Sequence, residues 1–192
     1  ISLSSSILRD ARGRVIGTLG VGKDISDRVA LEEKLREMTR TDDLTGLFNQ
    51  RHFHERLREE ASRAMRQKRK LSMILFDLDG FKQVNDRLGH LEGDRILKSF
   101  AQSLNDNIRK EVDLAFRYGG DEFILLLPEP SIKRAARVAR RVATAASTAL
   151  HKDAVSTSWG VAELPKSGNV SALVRHADAE MYKMKSRRLG LR

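Results

Sequence analysis

The chain contains no cysteine, which excludes a disulfide framework and a thiolate metal site and points to a cytoplasmic setting. No apolar run approaches the ~18 residues of a membrane span. The opening "ISLSSSILRD" lacks the basic and apolar regions of a signal peptide. It also begins without Met, so the sequence reads as a piece of a longer protein. Aromatic residues are scarce, at 5%, and few interleave the basic runs as single-strand nucleic-acid binding would want. Positive charge, in contrast, is plentiful, with a formal net of +10. Much of the excess lies in "RAMRQKRK" (63–70), "KRAARVARR" (133–141) and "KMKSRRLGLR" (183–192). Each run has helical spacing and is read as a solvated face, so no nucleic-acid partner is expected. With 192 residues, 40% of them apolar, there is room for one full domain with a real core plus a fragment.

Residues 1–24 read as two β-segments, "LSSSILRD" and "VIGTLGVGKD", joined by the turn-rich "ARGR". A two-stranded ribbon is marginal alone, so this stretch is read as the end of a truncated domain. From Ser26 to Thr39 the pattern is helical, with Leu31, Leu35 and Met38 forming a short coiled-coil seam. "TRTDDLTGLFNQRHF" opens a new unit, in which Asn49 is a plausible N-cap. The helix after it points Phe53, Leu57, Ala61 and Ala64 or Met65 inward. "LSMILFDLD" is a buried strand, and "GDRILKSFAQSLNDNIRK" a helix burying Ile96, Leu97, Phe100, Leu104 and Ile108. "DLAFRY" and "FILLLP" are strands joined by "GGDE", and "SIKRAARVARRVATAASTAL" is a helix capped by Ser131. "AVSTSWGVAEL" is a strand and "VSALVRHADAEMYKMKS" a last helix. From residue 71 the order β-α-β-β-α-β-α is the ferredoxin-like plan, an α+β fold with helices on one face of a mostly antiparallel sheet.

Two strand ends carry the chemistry. Gly119 and Gly120 suit a tight hairpin needing positive φ, and they leave no side chain between a ligand and the backbone. Taken alone, the turn explains the glycines, and Asp121 and Glu122 are solvated tip residues. "FDLDGFKQVND" adds Asp77 where a buried strand ends. In a sheet of this topology the first strand and the hairpin are neighbours, so Asp77 and Asp121 could face one point. Hard carboxylate oxygens from two elements suit Mg²⁺, with positions left for water and phosphate; two such ions would make a phosphoryl- or nucleotidyl-transfer site. The helix starting after Asp79 offers free N–H groups to phosphate, and Lys82 adds a cation, so this pairing reads as a nucleoside triphosphate site. Asn85 and Asp94 form a third element. An ionised Asp matches the N1–H and N2–H₂ donors of guanine and opposes adenine, although both residue types also commonly cap helices. The histidines offer no competing site: His52 and His54 lie on different helix faces, and His90 sits in a glycine-bounded turn.

These motifs resemble the GGDEF family of diguanylate cyclases, over residues 41–189. "DDLTGLFNQRHF", "FDLDGFKQVND", "LGHLEGD", "RYGGDEF", "SWGVAEL" and "HADAEMYKMK" match in order. The resemblance implies a nucleotidyl cyclase fold and the condensation of two GTP into cyclic di-GMP with release of two pyrophosphates. Two subunits of a homodimer would face each other, each binding one GTP. Carried over by position, Asp77 and Asp121 are ligands of Mg²⁺ (or Mn²⁺), with the Leu78 carbonyl contributing. Asn85 and Asp94 read guanine. Lys82 and Lys185 hold phosphates with backbone N–H groups around Gly80 and Phe81. Glu122 is an active-site acid, either base or second metal ligand. The other reading is a non-catalytic module binding GTP or cyclic di-GMP, which would be expected to lose one of these acids. Residues 1–40 resemble the last strands of a PAS sensor domain (1–24) and a signalling helix (25–40), so that an upstream sensor would set the spacing of two cyclase domains.

Two departures from the family pattern matter. The product-inhibition site has Lys110 in its Arg position, with Asp113 retained. Lysine cannot form the planar bidentate fork, so feedback is expected to be weak or lost. Leu189 replaces an Arg four residues after Lys185, although Arg187 and Arg188 lie close. Trp159, where a smaller residue is common, is read as core.

Overall fold

A computed structural model describes residues 2–23, 40–150 and 155–188 of the chain. The helix expected at 26–39 and the departure at Leu189 lie outside the described residues. Two compact units are present, Ile1–Thr39 and Arg40–Arg192. In the first, β1 (Ser2–Arg9) pairs antiparallel with β2 (Val15–Lys23). Asp10 builds the turn, its carboxylate accepting from the backbone N–H of Arg12 and Arg14 and from the Arg14 side chain. Ile7, Leu8, Val15 and Ile16 stay exposed.

The second unit holds the rest of the fold. Its first helix, α1 (Gln50–Gln67), starts where the Asn49 side chain accepts the His52 N–H. Phe53, Leu57, Ala61 and Ala64 are buried, whereas Met65 is exposed. All nine residues of β3 (Leu71–Asp79) are buried. The chain then turns at Gly80 (φ +84) into α2 (Phe81–Leu88) and, after Gly89 (φ +85), into α3 (His90–Asn105). One helix was expected at 93–110. Instead His90 opens α3, and the helix stops at Asn105, where the Asn107 amide turns back onto the Ser103 carbonyl. Asn and Asp side chains compete with helical backbone in this way, and Ile108 reaches the core from outside the helix.

The hairpin strands are β4 (Leu114–Gly119) and β5 (Glu122–Pro128), followed by α4 (Ile132–Ala149), β6 (Ser156–Glu163) and α5 (Val170–Arg188). Ser131 precedes α4 but makes no side-chain cap bond. The sheet order is β4-β5-β3-β6, with every strand pair antiparallel, the ferredoxin-like arrangement of an α+β fold. Helices cover both faces rather than one. Ile74, Phe76, Phe123 and Leu125 pack with residues of α2, α3 and α4 on one side. Met73, Leu75, Ile124 and Leu126 pack with residues of α1 and α5 on the other. The strands β3 and β5 are apolar at successive positions, so neither face can be left to water. Trp159 is half-buried against the first of these clusters. On the other side α5 lies so close to β6 that a Cβ on Gly160 would stand 1.9 Å from the Ala177 carbonyl oxygen. That contact brings the C-terminal end of α5 beside the end of β3.

Candidate active site

At the end of β3, Asp77 stands opposite Glu122 of β5 and Ser158 of β6, and Asp79 opposite Ser156. Directly opposed residues point to one face of a sheet, and alternate residues share it. Asp77 and Asp79 therefore continue the Met73–Leu75 row toward α5, and Lys185 of that helix meets them. Its Nζ donates to Asp77 Oδ1 at 2.6 Å and lies 4.0 Å from Asp79 Oδ1. Arg188 Nη1 lies 3.6 Å from Asp79 Oδ2 and donates to the Thr157 carbonyl at 2.9 Å. Asp79 Oδ2 also accepts from Ser158 Oγ (2.7 Å) and Ser156 Oγ (3.1 Å). Its Oδ1 is buried without a hydrogen-bond partner.

The hairpin tip is tied to this strand end, because the Leu78 N–H donates to the Asp121 carbonyl at 3.3 Å. Gly119 pairs with Glu122, and only Gly120 carries the positive φ, +49°. A Cβ at either glycine would meet nothing within 4 Å, so the hairpin leaves open space there. Arg117 fixes the tip from behind. Its guanidinium donates to the Gly120 carbonyl at 3.1 and 2.9 Å and to both Asp42 oxygens at 3.2 Å. Burial alone would raise the Asp42 pKa, but hydrogen bonds from Thr45 and Arg117 hold it below the ordinary value.

Negative charge dominates the cluster. Burial raises the Asp77 pKa against the Lys185 ammonium, with Asp121 and Asp79 adding to the rise. Burial also raises Glu122, followed by the charges of Asp77, Asp121 and Asp178. Burial works against the Lys185 charge, yet the hydrogen bond to Asp77 and the nearby carboxylates leave its pKa above the ordinary lysine value. The site is short of cations, and a hard divalent ion fits that deficit. Among the described residues no three His, Cys, Asp or Glu side chains converge as a ready-made metal cage. The available donor set, two carboxylates and the Leu78 carbonyl, is the open kind that leaves positions for water and phosphate oxygens.

The remaining candidates divide into two groups. Gly80, in left-handed conformation, starts α2 without a side-chain cap, so first-turn N–H groups around Phe81 are free for an anion. Phe81 is buried and Lys82 exposed on that turn. One turn on, Asn85 has its Oδ1 buried without a partner. It lies against α3, where a Cβ on Gly93 would come within 1.9 Å of that oxygen. Asp94, the next residue, is half-buried. Lys110 and Asp113 stand apart from all of these, at the opposite end of β4 from the hairpin. Asp113 is buried and gripped by Arg109, whose Nη2 donates to Oδ1 at 2.7 Å and Nε to Oδ2 at 3.1 Å; Lys110 is exposed. Sequence reasoning passed over Arg109, Arg117, Asp42 and Asp79. The only local signals were an Arg next to Lys110, an Arg two residues before the glycines, and an Asp three before Thr45.

Fold and site together define a ferredoxin-like domain with an acidic strand-end site beside an uncapped helix start. The family described as "Diguanylate cyclase, GGDEF domain" matches residues 39–189. A diguanylate cyclase of Shewanella oneidensis, DgcS, is 37% identical over 147 residues, 76% of this chain and 49% of the relative. The Pseudomonas aeruginosa diguanylate cyclase SiaD, solved in complex with its activator SiaC, superposes with a TM-score of 0.73 at 38% identity, covering 85% of this chain and 66% of that one. The GGDEF domain of DgcB from Caulobacter crescentus, solved in complex with c-di-GMP, gives 0.71 at 26%, covering 79% and 92%. The chain belongs to the GGDEF family of diguanylate cyclases. It spans about half the length, or less, of the curated relatives it matches.

Proposed function

We propose that this domain is a Mg²⁺-dependent diguanylate cyclase acting as a homodimer, with Mn²⁺ able to substitute. Each subunit binds one GTP, and each ribose 3′-hydroxyl attacks the α-phosphate of the GTP held opposite. Two phosphodiester bonds form, two α–β phosphoanhydride bonds break, and two pyrophosphates leave with cyclic di-GMP as the product. The observation that carries this reading is the convergence of Asp77, Glu122 and Lys185 at the end of β3, with the Asp121 tip tied to the same strand end.

Asp77, Asp121 and the Leu78 carbonyl would hold the metal, which when bound withdraws charge from the phosphate oxygens and eases loss of the hydroxyl proton. The first turn of α2 around Gly80 and Phe81, with Lys82 and Lys185, neutralises the triphosphate. Gly119 and Gly120 leave the backbone open to the nucleotide. Asn85 and Asp94 accept the guanine donors, so that adenine would leave buried groups unpaired. Glu122 serves as proton acceptor or as a further metal ligand. Residues 1–24 would be a PAS-like remnant and 25–40 the signalling segment, through which a sensor would set the pairing of two cyclase domains in the cytoplasm. With Asp113 already forked by Arg109 and Lys110 unable to form a planar fork, feedback by the product would be weak or lost. Incubation with GTP and Mg²⁺ tests the reading: cyclic di-GMP supports it, and nucleotide bound but unconverted at high protein concentration favours the binding module.

A further inference from the structure

Asp79 has no part in the site as proposed, yet it is the most constrained carboxylate there. It is only 9% exposed. Ser158 and Ser156 both donate to Oδ2, which fixes the carboxylate plane, while Oδ1 is buried without a partner. A buried carboxylate oxygen without a hydrogen bond calls for an explanation. The explanation lies in Lys185. Its ammonium sits on Asp77 Oδ1 at 2.6 Å, and a dication on this carboxylate would repel that ammonium and compete for its oxygen. The next carboxylate oxygen facing Nζ is Asp79 Oδ1, 4.0 Å away. A charge-assisted bond is about 2.8 Å long, so a side-chain movement of roughly 1.2 Å completes the transfer.

We propose that Asp79 is a positioning residue that receives Lys185 when the metal displaces it from Asp77, and that it steadies Arg188 on its other oxygen. This rests on the reading of Asp77 as a metal ligand. Nζ then stays at the strand end beside α2, where the phosphates are expected, instead of swinging into solvent. Arg188, 3.6 Å from Oδ2, supplies a second cation next to the position where Leu189 provides none. Ser156 and Ser158 hold the acceptor ready from the neighbouring strand.

Coulomb attraction and this mechanism predict opposite signs for one substitution. Removing a negative charge near a triphosphate should tighten its binding, whereas replacing the charged acceptor of Lys185 with a neutral amide should weaken it. Binding of α,β-methylene GTP with Mg²⁺, measured by calorimetry, is expected to weaken about five- to tenfold in Asp79→Asn while the thermal midpoint stays near wild type. In a Lys185→Met background the same substitution should cost clearly less, leaving only the part that runs through Arg188. Equal or tighter binding by Asp79→Asn, or the same loss in both backgrounds, overturns the inference and leaves the metal reading intact. A structure of the complex separates the two claims directly. Metal at Asp77 with Nζ on Asp79 supports both, metal at Asp77 with Nζ elsewhere defeats the role of Asp79, and no metal at Asp77 defeats both.

Discussion

Gly93 gives a test in which fold and function are expected to part. It lies within α3 with ordinary helical φ, so Ala is conformationally welcome and gains roughly 0.5–1 kcal/mol of helix propensity. The added Cβ, however, would stand 1.9 Å from Asn85 Oδ1, about 1.5 Å inside ordinary contact at 3.4 Å. The obstructing atom is the end of a flexible side chain, so Asn85 rotates away and the backbone holds. The fold loses no hydrogen bond by this, since that oxygen has none in the protein. A nucleotide bound through Asn85 loses one, and an unmade bond to a buried polar group costs about 1–3 kcal/mol, or roughly 5- to 150-fold in affinity. Gly93→Ala should therefore melt within a few degrees of wild type while its ratio of GTP to ATP affinity, read by competition with a fluorescent nucleotide, falls at least fivefold. Selectivity within twofold of wild type would refute the guanine role of Asn85, and an unfolded variant would refute the claim that Asn85 can move aside.

Two further substitutions probe the sheet and the charge. Glu122 has a raised pKa, so its contribution is fully favourable below the ordinary value of 4.5 and is lost as pH rises through the higher folded value. Glu122→Gln should thus be more stable than wild type at pH 7 and no more stable at pH 4; equal melting at both pH values would contradict the burial and crowding assigned to this acid. Gly160→Ala drives a methyl into the backbone of α5, an overpacking cost of about 1–3 kcal/mol, or roughly 2–4 °C in Tm for each kcal/mol. Because Lys185 rides on that helix, GTP affinity should fall with Tm, and unchanged affinity would uncouple α5 from the site.

Local pattern carried the strands and the capped start of α1. "LSMILF" and "FILLL" could only be buried, and Asn49 caps as its type predicts. The start of α3 reads too late in sequence, at Gly93, because a second glycine close after Gly89 extends the turn signal, whereas the helix already begins at His90. The covering of both sheet faces was also missed, because which helix covers which face depends on contacts between distant segments. The site follows the same division. Asp77 and Asp121 could be paired from their places at neighbouring strand ends, whereas Glu122 gained a role only through family resemblance. Lys185 is 108 residues from Asp77 and Arg117 is 75 from Asp42; no spacing rule links them, and Lys185 entered through family resemblance alone. Asp79 reads in sequence as an ordinary residue before a turn. Its buried oxygen without a hydrogen bond is what marks it out.

The central claim is that these carboxylates hold a metal for nucleotide condensation. It is tested most directly by mass spectrometry of products after concentrated wild-type protein and Asp121→Ala are each incubated with GTP and Mg²⁺. The account predicts cyclic di-GMP and pyrophosphate from wild type, and neither from Asp121→Ala, which should keep a wild-type melting profile because it alters a hairpin tip. Product formed undiminished by the variant would contradict the metal assignment, and GTP left intact by wild type that is demonstrably dimeric and nucleotide-bound would contradict the cyclase itself.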